Sequence, residues 1–207
     1  MKKILLSMVF ILSVSANAFA ITDKEVTESY RKSYNYEKAN NYNDAIKSLS
    51  TVYNTYKDAY TINLRLGWLY YLHADYANSK FHYDKAMKVK PYYVEAKVGY
   101  LLPLMAQKKY AEIEDVCYKI LKVDYYNYLT NVRLSYALRM QKKYDLAEKV
   151  SNKMLYLYPT DVSFLNELAL AKFYSSSKTG KTEAYAIFQS VLILDPENVT
   201  AKQFLKG

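Results

Sequence analysis

A single cysteine, Cys117, stands in the 207 residues. That scarcity excludes an intramolecular disulfide framework and a thiolate metal cluster. Cys117 falls in an apolar helical pattern between Val116 and Ile120, a place for a small buried side chain, with an intermolecular disulfide as the alternative. Histidine is almost as rare. His73 and His82 belong to no H-E-x-x-H pattern and lie near no second ligand, so both read as surface or turn residues and no metal site is expected. No G-x-S-x-G elbow and no nucleophile–base set is present, so no catalytic residue and no cofactor is assigned and the chain reads as a non-enzyme. The string from Ser175 to Thr182 imitates the end of a phosphate-binding loop. It has Ser175 where that motif needs its first glycine and follows a helical pattern rather than a strand, so it reads as a flexible turn. Four glycines and four prolines are few breakers for this length, which disfavours a many-turned β fold and favours long helices.

Long apolar runs are also missing after the start of the chain. The first twenty residues stand apart: Lys2 and Lys3, an apolar run from Ile4 to Val14, and the small-x-small sequence Ala18-Phe19-Ala20. This is the pattern of a secretory signal peptide cut after Ala20, with Ala18 as the second choice. An uncut anchor is disfavoured, because spanning a bilayer takes about 20 apolar residues. Residues 1–20 are therefore expected to be removed, leaving 21–207 periplasmic or secreted, without an integral membrane segment. With no cysteine at the cleavage site, a lipid anchor is not expected. The formal charge of +9 falls to +7 without Lys2 and Lys3. An anionic membrane, an acidic partner or nucleic acid could exploit it, but export argues against nucleic acid, and the plainer reading is a solvated outer face. Asn198-Val199-Thr200 is a glycosylation sequon in form only.

What the chain has in excess is tyrosine, 25 of them, half apolar ring and half hydrogen-bonding tip. Tyr42, Tyr76, Tyr110 and Tyr144 recur at one constant interval, each after a polar turn, and Pro91 and Pro159 are separated by twice that interval. Within one interval, Leu64, Leu66, Gly67, Trp68, Tyr70 and Tyr71 precede the turn at His73-Ala74-Asp75. Tyr83, Ala86, Met87 and Val89 then follow at helical spacing up to Pro91. Two helices per unit follow, with Gly67 and Ala86 allowing close approach while Tyr70 and Tyr83 fill the space between.

These residues resemble the tetratricopeptide repeat, a helix–turn–helix whose length matches the tyrosine interval, with an L-G-x-x-Y core, a later alanine and a closing proline: here Leu66-Gly67-x-x-Tyr70, Ala86 and Pro91. Other units match less closely. One has Lys32-Ser33 and another Tyr100-Leu101 in place of Leu-Gly, a third has Leu134-Ser135, Ala147 and Pro159, and a fifth has Leu168-Ala169, Ala184, Phe188 and Pro196 with three extra residues around Ser175 to Lys181. The resemblance implies an all-α, right-handed superhelical solenoid of about five helix-turn-helix repeats, at 26–59, 60–93, 94–127, 128–161 and 162–198. A C-terminal capping helix is expected at 196–206, where Val199, Phe204 and Leu205 would cover the open edge. Thr22-x-x-Glu25 reads as a capping box for the first helix. Pro103 sits inside the first helix of the third unit, where a bend near Leu102 is expected, with Gly99 easing local crowding.

In this family the first helix of each unit lines a concave groove, and the resemblance places the groove on this chain at Tyr30 and Tyr34, at Leu64, Trp68, Tyr71 and Leu72, and at Val98, Leu102 and Met105 in the first three units. The fourth contributes Val132, Tyr136, Arg139 and Met140, the fifth Asn166, Leu170, Phe173 and Tyr174. That surface would be aromatic and aliphatic with few charges. The lysine–asparagine clamp by which many relatives hold a C-terminal carboxylate is absent, since Tyr30 and Tyr34 stand at its first positions. An exposed groove of this kind is expected to bind a peptide or helix of a protein partner, as a scaffold that could serve the assembly of an envelope complex. The alternatives are recognition of a cell-wall or other glycan by the aromatic faces, self-association through the same surface into a homo-oligomer, and burial of these residues by superhelical curvature.

Overall fold

The computed structural model of the chain describes residues 21–175 and 177–206. The expected signal peptide therefore lies outside the described residues. Helices come in pairs: α1 (Asp23–Lys38) with α2 (Tyr42–Lys47) and α3 (Ser50–Thr55), α4 (Tyr60–Leu72) with α5 (Tyr76–Val89), α6 (Val94–Ala106) with α7 (Tyr110–Leu121), α8 (Tyr128–Met140) with α9 (Tyr144–Leu155), and α10 (Val162–Tyr174) with α11 (Gly180–Leu194). A short α12 (Val199–Leu205) closes the series, and no strand occurs among the described residues. Each helix packs on its chain neighbours, and first helices of successive pairs also touch, α4 with α6 and α8 with α10. A row of first helices thus forms one wall. No helix among the described residues is long and apolar enough to cross a membrane.

The turn inside each pair is one repeated device. Asn40, Ala74, Lys108 and Lys142, each one repeat length from the last, have φ of 56, 60, 55 and 61°. That left-handed residue lets the next N–H reach back to the final helical turn: Asn41 to Tyr36 O, Asp75 to Tyr70 O, Lys109 to Leu104 O and Lys143 to Leu138 O, at 2.9 to 3.0 Å. Asn41 and Asp75 then cap the following helix with their side chains, while Lys109 and Lys143 cannot. Only Asn40 is a residue type that tolerates this conformation well. Ala74→Asn is therefore expected to stabilise the protein by about 0.5–1 kcal/mol, read as a raised melting temperature, while the same change at Ala77, inside α5, should not.

The first pair differs from the expected two helices. Its second helix breaks between Lys47 and Ser50. The Ser48 hydroxyl donates to Ala45 O at 2.8 Å and the Leu49 N–H turns to Ile46 O, tightening the chain to i→i+3 and driving Leu49 into the core beside Ala45, Val52 and Ile62. At the other end, Phe204 of α12 stacks on Phe188 with ring centroids 5.0 Å apart, covering the last pair. The first helix opens on a capping box, with Thr22 and Glu25 bonded in both directions.

Tyr83 is the central packing piece. Its ring is buried between two glycines on two successive first helices. A Cβ added to Gly67 would lie 2.8 Å from it, and one added to Gly99 would lie 2.3 Å from it. Gly99 thus makes room for a side chain of the preceding unit, rather than easing the backbone around Pro103, and α6 continues through Pro103 to Ala106.

Beyond the single-unit spacing, the polar contacts repeat at twice that interval, over two units. The Asn63 amide donates to the carbonyls of Lys57 and Ala59, and Asn131 does the same to Tyr125 and Asn127. The Lys85 amine donates to Lys57 O and Lys153 to Tyr125 O. These bonds tie the turns before α4 and α8 to both helices of the pair that follows. His82 belongs to this layer and is not at the surface as the sequence suggested. It is buried, stacked on Tyr70, edge-on to Tyr53, and its Nδ1 donates to Asn63 Oδ1 at 3.0 Å, an oxygen left as acceptor because the amide nitrogen is already bonded. Burial first, and the Lys85 charge second, push the imidazole down to about 4. An unfolded histidine takes up its proton near 6.5, so the unfolded chain binds more protons between that pH and about 4. Stability should be fully present above this window and fall as the pH falls through it, by up to about 3 kcal/mol. Urea unfolding at pH 7.5 and 4.5 should show the loss, and His82→Phe should flatten it.

Candidate functional site

Along the wall of first helices a cavity of about 680 Å³ opens between the first and fourth pairs. Its sides are Tyr30 and Tyr34 of α1, Leu64 and Trp68 of α4, and Val98 and Leu102 of α6, with Leu129 of α8 at the far end. Tyr34 is half exposed, while Trp68 is partly buried. Helical spacing explains the grouping: Tyr30 with Tyr34, Leu64 with Trp68, and Val98 with Leu102 are each i,i+4 pairs on one face.

The other groove candidates are placed elsewhere. Tyr71 leans on Trp68 and Tyr76. Met105 packs against the core of the third and fourth units. Tyr136 meets Tyr110 edge-on at 5.9 Å, with the Arg139 guanidinium 5.2 Å from its ring. Met140 is exposed, while the Asn166 side-chain oxygen is buried without a partner among the described residues. Phe173 and Tyr174 both meet Phe204 of the cap edge-on, and Tyr174, half exposed, also stacks near Tyr144. Leu170 is buried in the terminal core.

The cavity carries charges that the apolar pattern hid. Arg65 and Arg133 both line it. Arg65 is nearly buried and held at both terminal nitrogens, Nη1 on the Glu37 carboxylate and Nη2 on Ser33 Oγ at 3.0 Å, with its guanidinium plane 3.9 Å over the Tyr34 ring, while its Nε is buried without a partner among the described residues. Glu37 also accepts from the Trp68 indole N–H at 2.7 Å, so the one tryptophan is fixed by the same carboxylate. A second inter-unit pair, Arg139 with Glu167, is bidentate at 2.8 and 3.1 Å and sits three units further on with the charges exchanged. Arg65 and Arg133 each follow an apolar residue of the helix face, Leu64 and Val132. A signal for them existed only in their separation of two repeat lengths, the same as that of Pro91 and Pro159.

Other concave regions offer less. At the turn before α11, Ser175, Ser177 and Gly180 share a cavity with Lys143 and Lys172. Both lysines are already neutralised, Lys143 by Glu114 and Lys172 by Glu148 and Glu183. Cys117 is buried in the central core, which raises its thiol to about 12 and keeps it protonated. No group of three or more metal-ligating side chains occurs among the described residues.

No protein-family profile matches the sequence, and no curated protein matches it. Solved structures do match in shape. A MamA structure from Desulfovibrio magneticus RS-1 superposes with a TM-score of 0.75 at 16% identity, covering 87% of this chain and 99% of its own. YrrB, described as a TPR protein with an unusual peptide-binding site, superposes with a TM-score of 0.72 at 12% identity, covering 89% of this chain and 94% of its own. A further MamA structure gives 0.72 at 14% identity over 85% of this chain and 94% of its own. Agreement over nearly the whole described chain, with the L-G-x-x-Y core and the repeated turn, makes this chain a tetratricopeptide-type helical solenoid in fold.

Proposed function

We propose that the chain is an exported, non-catalytic scaffold that holds an apolar peptide segment or helix of a partner protein in the cavity between α1, α4, α6 and α8. The observation that carries this reading is the cavity itself. It is apolar along its sides, opens on the wall of first helices, and presents aromatic rings held in place from behind. Rigid aromatic anchors in a desolvated groove are the residues from which interfaces draw most of their energy. The peptide-binding site that YrrB is named for lends the reading support by shape alone. Export rests on residues 1–20, and a periplasmic or secreted location follows from it.

The test is capture by a photo-reactive residue in place of Tyr34, in intact cells, followed by mass spectrometry. A reproducible protein partner is expected, and cross-links that reach only another copy of the chain, or binding to purified wall glycan alone, would replace this reading. With a partner in hand, Trp68→Ala should weaken binding by about 2 kcal/mol or more, roughly thirtyfold. Lys119→Ala, on the exposed side of α7 and paired only with Asp115, should leave affinity unchanged. N-terminal sequencing of the secreted form should begin at Ile21.

A further inference from the structure

The two-unit repeat exposes an arginine whose partners have been replaced. Shifted by two repeat lengths, Arg65 becomes Arg133, and the three groups that hold Arg65, namely Ser33, Tyr34 and Glu37, become Leu101, Leu102 and Met105. A hydroxyl, an aromatic face and a carboxylate have all turned aliphatic, while the arginine has been kept. Among the described residues Arg133 forms no ion pair. Its one hydrogen bond is from Nη1 to Val98 O at 2.8 Å. Glu95 lines the same cavity but accepts from the Tyr60 hydroxyl instead, at 3.4 Å. A partly buried guanidinium presents five donors, and leaving most of them without a counter-charge is costly.

We infer that Arg133 is the receptor for a side-chain carboxylate, an aspartate or glutamate within an otherwise apolar segment of the partner. This rests on the proposed peptide-binding role of the cavity and names the chemistry of what fills it. The carboxylate pairs with the Arg133 guanidinium from the cavity side, doing for it what Glu37 does for Arg65, and the flanking apolar side chains lie on Leu64, Val98, Leu102 and Leu129. Charge complementarity sets the register of the bound segment, because an apolar groove alone would accept it in several positions.

The probe is a pair of fluorescent dodecapeptide pools, acetylated and amidated at their ends and rich in leucine, phenylalanine and alanine. One pool has a fixed central glutamate and the other a fixed central glutamine. Wild-type protein should bind the glutamate pool at least about tenfold more tightly, the range of a charge-assisted bidentate bond. Arg133→Gln should bind both pools alike. Met105→Glu should supply the missing carboxylate from within, lose the preference, and melt at a higher temperature than wild type, a gain that only the assigned slot explains. Equal binding of the two pools by wild type overturns this assignment and leaves the peptide-binding role standing. If neither pool binds, both readings fall, and a Met105→Glu protein that keeps its tenfold preference shows that the slot is not where we place it.

Discussion

Gly99→Leu is expected to unfold the second and third units together, with a loss of about 3 kcal/mol or more. The new side chain would enter space already filled by the Tyr83 ring, which Gly67 confines from the other side, so the ring has nowhere to move. Gly67→Leu should act in the same direction. The decisive measurement is a double-mutant cycle with Tyr83→Ala, followed in urea by the fluorescence of Trp68, the single tryptophan. Tyr83→Ala alone leaves a cavity worth about 3–5 kcal/mol. Combined with Gly99→Leu, the two losses should fall short of their sum by at least about 2 kcal/mol, because each relieves the defect of the other. Additive losses would mean that Gly99 is needed for some reason other than the ring.

Glu37→Ala should be nearly as damaging, at about 3–5 kcal/mol, although Glu37 itself is not deeply buried. Its removal strands Arg65, which is only 8% exposed, and frees the Trp68 indole N–H. The double replacement Glu37→Met with Arg65→Leu removes both charges and should recover most of the loss. If Glu37→Ala costs less than about 1 kcal/mol, water must reach Arg65 and the pair is an ordinary surface contact.

The architecture was legible in the sequence because it is built from local rules repeated at fixed spacing. Leu66, Gly67 and Tyr70 mark one helix, Tyr76 the start of the next, and Pro91 the end of the pair, and each acts within its own repeat. What could not be read depends on residues brought together across a unit boundary. Glu37 and Arg65 are 28 residues apart, as are Arg139 and Glu167, and nothing local marks either as paired. His82 looked like a surface residue because its polar partner, Asn63, lies on another helix. The break at Ser48 was missed because one hydroxyl competing for a carbonyl leaves the apolar pattern intact. For the candidate site, i,i+4 spacing groups Tyr30, Tyr34, Leu64, Trp68 and Leu102 on one face, and the structure places these five in one cavity. Tyr136, Phe173 and Tyr174 share the same register but do not line that cavity, and they meet other rings, Tyr110 for the first and Phe204 for the others.

The exchanged charges of the two inter-unit pairs have a consequence for the folding chain. Units so alike in outline can dock on the wrong neighbour, and a solenoid offers many near-correct arrangements during its assembly. Should the first unit close on the fifth, Glu37 would face Glu167. Should the fourth close on the second, Arg139 would face Arg65. Each error would set two like charges against one another where water is scarce, so the incorrect closure is disfavoured relative to the native one. The polarity of these two pairs acts as a key that tells one end of the solenoid from the other while the chain is still finding its order.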